Sequence, residues 1–183
     1  GYAAVLLLDT WLLLARSDSG QLGRDQVELL AHEVLDRAIA RISQQQAAPI
    51  AVNIDNPALT IIGNEDELVR LFANLLDNAI QHTPRDGKIT VKADKTEQDV
   101  LITVADNGSG IAPEHLPHLG ERFYRVDSAR SHLDGGGGGT GLGLSICRSI
   151  AEAHGGTIRF ASAVDVGTTV TVSLPAGPSA SSR

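Results

Sequence analysis

Apolar positions recur along this chain with two periods, and the changes between them mark its elements. From Ala3 to Ala15 the sequence AAVLLLDTWLLLA repeats at helical spacing but is apolar on too many faces for a solitary surface helix, so it predicts a helix packed against a partner. Ser17 to Gly20 reads as a linker. Gln26 and Val27 read as a short strand. Glu28 to Gln44 follows as an amphipathic helix, with Leu29, Leu30, Val34, Ala38 and Ile42 on one side and Pro49 beyond its end. Ile50 to Ile54 and Leu59 to Ile62 alternate as strands on either side of Asn56-Pro57, which predicts a hairpin. Asn64, with Glu67 three residues on, opens a helix that runs to His82 and buries Leu68, Leu71, Leu75, Leu76 and Ala79.

Lys88 to Ala93 and Val100 to Ala105 alternate with period two across a polar turn at Thr96 to Asp99, and the second strand delivers Asp106 at its end. Ala112-Pro113-Glu114 reads as a short helix start. Leu142 to His154 is the third long helix, closed by Gly155-Gly156, with His154 complementing its C-terminus. Thr157 to Ser162 and Thr168 to Leu174 form a closing hairpin that turns at Asp165 to Gly167. Short strands, three long helices and mostly hairpin connections predict a two-layer α/β sandwich with a mixed sheet and helices over one face. Residues 1–22 are expected to be the end of an upstream helical element with its linker, 23–175 the folded domain, and 176–183 a frayed tail.

Composition narrows the chemistry. The 183 residues, 42% of them hydrophobic, suit one domain that buries about 70% of its unfolded surface. A net charge of −7 argues against a nucleic-acid-binding surface, so an anionic ligand must be met by local positive potential. Arg122, Arg125, Arg130 and His132 supply such an island beside the glycines. The single cysteine excludes an internal disulfide; Cys147 shares a helical face with Leu144, Ile150 and Ala151 and is expected to pack. The apolar run from Ala3 to Ala15 is too short to span a bilayer and carries Asp9, and nothing resembles an intact targeting sequence, so the chain is expected to be soluble.

The most informative stretch runs from Asp106 to Leu144. It opens with DNGSG, passes through ERFYR and closes with GGGGGTGLGLS. Two glycine-rich turns, the second opening a helix, point to a polyanion held by backbone amides and a helix N-terminus. About 17 residues with little apolar periodicity separate Phe123 from Thr140, longer than the roughly 12 to 15 that a compact domain leaves structureless, which reads as a lid or binding loop. A carboxylate at Asp106 accepts hydrogen bonds only, so it suits the exocyclic amine of adenine and not the carbonyl of guanine; taken alone, DNGSG reads as an ordinary hairpin turn. Asn74 and Asn78, four apart on one helix face, either offer an amide oxygen to Mg²⁺ or sit on a solvated face. Gly136 to Gly141 satisfies G-x-G-x-x-G with Asp165 downstream, but no strand precedes it, and no P-loop signature stands in the chain.

Taken in order, the asparagine helix, Asp-x-Gly-x-Gly, Phe-x-Arg and Gly-Thr-Gly-Leu-Gly-Leu resemble the ATP-binding domain shared by sensor histidine kinases, gyrase-type ATPases, Hsp90 and MutL. Asn74 to His82 is similar to the N box, Asp106 to Gly110 to the G1 box, Phe123 to Arg125 to the F box and Gly139 to Leu144 to the G2 box. The resemblance, over about residues 23 to 175, implies a left-handed βαβ sandwich that holds ATP and Mg²⁺ under a mobile lid. It implies that Asn78 ligands Mg²⁺, that Asp106 binds the adenine amine, and that the backbone of Gly139, Thr140, Gly141, Leu142, Gly143 and Leu144 holds phosphates. It places Asn74, Gln81, His82, Gly108, Gly110, Ile111, Phe123 and Thr168 in the same pocket, with Arg122 and Arg125 able to reach the γ-phosphate. Gln81 departs from the lysine or arginine many of the kinases carry there, which puts a direct phosphate contact in doubt.

NLLDNAIQHT, ERFYRVD and GTGLGLSI resemble the histidine kinases more closely than the other branches. The hydrolysing branches carry a glutamate where Asn74 stands, and an amide cannot take a proton from water. The resemblance therefore implies phosphoryl transfer to a histidine on a dimerisation hairpin, a response regulator as indirect partner, and a parent protein in the bacterial inner membrane. Residues 3 to 20 resemble the end of that hairpin's second helix. His32-Glu33 lacks the proline of the phosphoacceptor pattern, since Ala38 stands in its place. Two other readings share the fold: an anti-sigma-type serine kinase and a non-catalytic ATP sensor. His115 and His118 straddle Pro117 and read as surface residues rather than a metal pair.

Overall fold

The computed structural model describes residues 2–42, 47–124 and 143–178. Strand pairing decides its architecture. β2 (Ile50–Asn53), β4 (Ile89–Lys95), β5 (Asp99–Asp106), β6 (Thr157–Ala163) and β7 (Gly167–Pro175) form one sheet in the order β2-β4-β5-β7-β6, with β2 and β4 parallel and the other pairs antiparallel. β1 (Val27–Leu30) pairs antiparallel with β3 (Thr60–Gly63) in a separate small sheet. Helices α3 (Glu65–His82) and α4 (Gly143–Ala153) pack on the large sheet and on each other, α2 (Ala31–Arg41) flanks α3, and α1 (Tyr2–Asp18) flanks α4. This is the mixed α/β sandwich expected from the alternation.

The same periodicities explain what is buried. Ile89, Val91 and Ala93 of β4, Val100, Ile102 and Val104 of β5, and Val170, Val172 and Leu174 of β7 face the helices, while Lys92, Asp94 and Arg159 are exposed. On α3, Leu68, Leu71, Phe72, Leu75, Leu76 and Ala79 recur at three- and four-residue spacing and are buried. Each such leucine contributes about 1.5–3 kcal/mol by leaving water. The helix starts at Asn64, whose extended backbone (φ −87°, ψ 120°) lets its side chain accept the Glu67 amide at 3.1 Å. Among the described residues no helix is long and apolar enough to cross a membrane.

Several local expectations are corrected. Ile50–Asn53 and Thr60–Gly63 do not form a hairpin: β2 lies parallel to β4 across the α3 crossover, and β3 turns away to pair with β1. Asn56 directs that departure, taking Ala58 N–H on its side chain at 3.0 Å and Leu59 N–H on its carbonyl at 3.2 Å. Glu28, Leu29 and Leu30 belong to β1 rather than to the following helix, because β3 satisfies their backbone; α2 therefore begins at Ala31, whose N–H donates to Leu59 O at 2.9 Å. The start expected at Ala112-Pro113-Glu114 gives only turns and a 3₁₀ segment at Leu116–His118, since Pro117 has no N–H to continue an α-helix. Of the expected frayed tail, Ala176 and Gly177 are held instead, donating to Gln98 O at 3.0 Å and Thr60 O at 2.9 Å.

Candidate functional site

Strand β5 carries Asp106 to the edge of the helical layer and there turns sharply. The Asp106 Oδ1 accepts the Gly108 N–H at 2.9 Å, closing the turn on the carboxylate. Its two glycines are fixed by what lies against them. A Cβ on Gly108 would collide with the His82 carbonyl at the end of α3, where Ser109 N–H also docks at 3.1 Å. Gly110 has φ +69°, and a Cβ there would strike the Ala163 carbonyl of the β6–β7 hairpin. The hairpin closes the other side: Asp165 N–H donates to Ser109 O at 2.8 Å, and Ile111 N–H donates to Ser162 Oγ at 2.7 Å. Ser162 Oγ lies 2.8 Å from Thr168 Oγ1, and β5–β7 register sets Thr168 opposite Asp106. Asp106, Gly108, Gly110, Ile111, Thr168 and His82 thus converge, and among the described residues Asp106 Oδ2 makes no hydrogen bond.

The second wall is the seam between α3 and α4. Asn74 and Asn78 are both half-buried, and Gln81 and His82 are exposed on the last turn of α3. Cys147 of α4 lies against the Asn74 turn of α3, its thiol 3.5 Å from Leu71 O. Burial pushes this thiol up to about 12, against weaker pulls downward from the Asn74 amide, a backbone hydrogen bond and the Arg70 charge. Cys147 is therefore a packing residue, as its helical face predicted. At the start of α4, Gly143 is exposed and a Cβ added to it would meet nothing within 4 Å.

The segment 116–124 lies beside α4, tied to it by the Arg148 guanidinium, which donates to Leu119 O at 2.7 Å. Tyr124 is gripped by both neighbouring histidines: His115 Nδ1 hydrogen-bonds its hydroxyl, and the His118 ring stacks on it with centroids 5.0 Å apart. These histidines pack; among the described residues no group of three or more His, Cys, Asp or Glu side chains can hold a metal. Phe123 is 63% exposed with φ +64°, a conformation an aromatic residue rarely adopts. Arg122 is paired with Asp18 at the end of α1. Arg125, Gly139, Thr140, Gly141 and Leu142 lie outside the described residues, and Leu144 is half-buried in the first turn of α4.

Other residues escaped the sequence reading. His154 is only 3% exposed and uses both ring nitrogens: Nδ1 donates to Ile150 O at 2.7 Å and Nε2 accepts the Asn64 N–H at 3.0 Å, which assigns the tautomer. It complements the C-terminus of its own helix through Ile150 O, as expected, and in addition links α4 to the start of α3. The Glu67 carboxylate, buried beside it, accepts Gly23 N–H at 2.9 and 3.3 Å instead of closing a capping box. Ser162 could have been found from its position, because it follows Ile158 and Phe160 on the inward side of β6, where a hydroxyl must have a partner.

Residues 63–178 match the family described as histidine kinase-, DNA gyrase B-, and HSP90-like ATPases. Over 151 residues, 82% of this chain and 32% of the relative, the chain is 39% identical to the sensor histidine kinase RppB of Synechocystis sp. (strain ATCC 27184 / PCC 6803 / Kazusa). It is 33% identical to the signal transduction histidine-protein kinase BaeS of Escherichia coli (strain K12) over 171 residues, 92% of this chain and 36% of that one. The chain thus spans about a third of the length of these curated relatives. Among solved structures, a mycobacterial sensor histidine kinase, MprB, superposes with a TM-score of 0.73 at 30% identity, covering 83% of this chain and 99% of that one.

Proposed function

The chain belongs to the histidine kinase-, DNA gyrase B- and HSP90-like ATPase family, as the ATP-binding catalytic domain of a sensor histidine kinase, and on that premise we propose that it holds Mg·ATP for transfer of the γ-phosphoryl group to a histidine on a dimerisation hairpin. The observation that carries the reading is the Asp106 turn. A carboxylate at the end of a buried strand, with one oxygen held by Gly108 N–H and Thr168 across the register, recognises a donor such as the adenine amine. The arrangement of α3 and α4 supports the rest. Gly143 leaves the α4 N-terminus open to a phosphate, and Asn78 offers a hard amide oxygen one turn beyond Asn74.

Mg²⁺ fits this donor set only in company with a nucleotide: one amide oxygen is too little to hold the ion, and phosphate and water oxygens complete the shell such a cation prefers. When bound, the ion would neutralise phosphate charge. The chain's own residues bind and orient: Asp106 the base, the α4 amides and Arg122 with Arg125 the phosphates. Asn74, without a basic lone pair, leaves water unactivated, so the nucleotide is kept for a better nucleophile. His32 is not that nucleophile in this reading, since it stands on α2 beside Asp36 at 3.6 Å. A response regulator is the expected onward partner.

The test is to supply a purified dimerisation hairpin carrying its histidine, with γ-labelled ATP, in the presence and absence of Mg²⁺. Mg²⁺-dependent label on that histidine is the expected result. ATP bound tightly in calorimetry but never transferred would favour a nucleotide sensor of the same fold.

A further inference from the structure

Helix α1 is fastened to the rest of the protein by contacts that differ in how readily they give. Leu13 and Leu14 are buried in the core beside α4, and Arg70 of α3, whose side chain is 14% exposed, meets Asp9 at 3.1 Å. Beyond the helix, Gly23 is pinned by the buried Glu67. The leucines and the Glu67 carboxylate are buried, and Arg70 is largely so, although Asp9 itself is half exposed. The last residue of α1 is held differently. Asp18 and Arg122 meet as a fork, Nη1 donating to Oδ2 at 3.3 Å and Nη2 to Oδ1, with side chains 60% and 44% exposed. The hydrogen bond to Arg122 lowers the Asp18 carboxyl below its usual range, and the same bond raises the Arg122 guanidinium. An ion pair so open to solvent contributes little net stability and yields to a stronger competitor.

Such a competitor belongs close by. Gly120, two residues before Arg122, lies against the guanidinium of Arg148, and Arg148 stands on the second turn of the helix that begins at Gly143. Arg148 is committed to Leu119 O, whereas Arg122 has in Asp18 a solvent-exposed, exchangeable partner. The Nη1/Nη2 edge of a guanidinium presents one pair of parallel donors, and while Asp18 holds that pair it is closed to a phosphate approaching on the same edge. We propose that Asp18 competes with the terminal phosphate of a bound nucleotide for Arg122, so that the end of the upstream helix sets the preference for a triphosphate over a diphosphate. The inference rests on the nucleotide reading above and adds a control on the same site. Linkage makes it reciprocal: a triphosphate that takes Arg122 releases Asp18, and anything that draws the end of α1 away favours the triphosphate.

Asp18→Asn keeps the side-chain shape and removes the charge at an exposed position. In calorimetric titrations of the whole chain, it should raise affinity for a non-hydrolysable ATP analogue by about 2- to 5-fold, the size an exposed ion pair supports. Affinity for ADP should stay as in the wild type. In an Arg122→Ala background the same substitution should change neither affinity. An equal gain for both nucleotides, a gain that survives without Arg122, or no gain at all overturns the proposal; Asp18→Ala repeats the test without a residual amide acceptor. Failure of the unsubstituted chain to bind either nucleotide would instead overturn the adenine-nucleotide reading, and this inference with it.

Discussion

At the scale of single residues, the fold uses only part of the hydrogen-bonding capacity of the Asp106 carboxylate. Asp106 gives one oxygen to the Gly108 N–H, a bond that an amide oxygen can also accept. Asp106→Asn should therefore leave the turn folded while weakening binding of an adenine nucleotide by about 1.5–3 kcal/mol, the range for a hydrogen bond to a charged group. Titration calorimetry checks it; unchanged affinity in a folded variant would remove Asp106 from the base contact. The turn at Asp106 was legible because a carboxylate directly after an alternating strand, followed by two glycines, marks a turn; its expected role came only from the order of the motifs around it. The partners of Ser162 and His154 were harder, because each takes an amide from a residue far away in sequence. Nothing local in HGG says that the imidazole will accept an amide 90 positions earlier.

At the scale of elements, the glycines separate into those the fold requires and one it does not. Gly110 combines φ +69° with a Cβ position occupied by the Ala163 carbonyl, so Gly110→Ala should cost upwards of about 1–3 kcal/mol of stability by separating the turn from the hairpin. Gly143 sits in open space at the first residue of α4. Gly143→Ala should leave stability equal or raised by up to about 1 kcal/mol, alanine being the better helix residue, yet weaken nucleotide binding if phosphate approaches the backbone there. Chemical denaturation set against calorimetry separates the two effects, and equal affinity in Gly143→Ala would place the phosphates elsewhere. The helices α3 and α4 and the β6–β7 hairpin were legible from period and caps. The separation of β2 from β3 was not, because alternation shows that a strand exists but not which edge it joins. β2 finds its partner only after α3 has brought β4 back beside it, and Glu28 to Leu30 become strand only because β3 offers a ladder.

For the whole molecule, the junction of linker, α3 and α4 is where distant segments are joined. Gly23, Asn64, Glu67 and His154 meet there in a small polar cluster, with Glu67 2% exposed. Glu67→Ala strands the Gly23 amide and should cost about 1–3 kcal/mol in urea unfolding. Asp66→Ala, one residue away and exposed, should stay within about 0.5 kcal/mol. Equal effects would mean the cluster carries no special share of stability. Only the Asn64–Glu67 contact could be read from spacing, since Gly23 and His154 join it from 44 and 90 positions away. The strand order has a further consequence for how the protein is made. β7, the last strand in sequence, lies inside the sheet between β5 and β6. Until it leaves the ribosome, β5 presents a bare edge and β6 has no neighbour, so the nascent domain has to wait, with that edge open to wrong partners, for its final strand. Because β7 also carries Thr168 to its place opposite Asp106, the two sides of the pocket come together only once β7 has been made and has paired with β5.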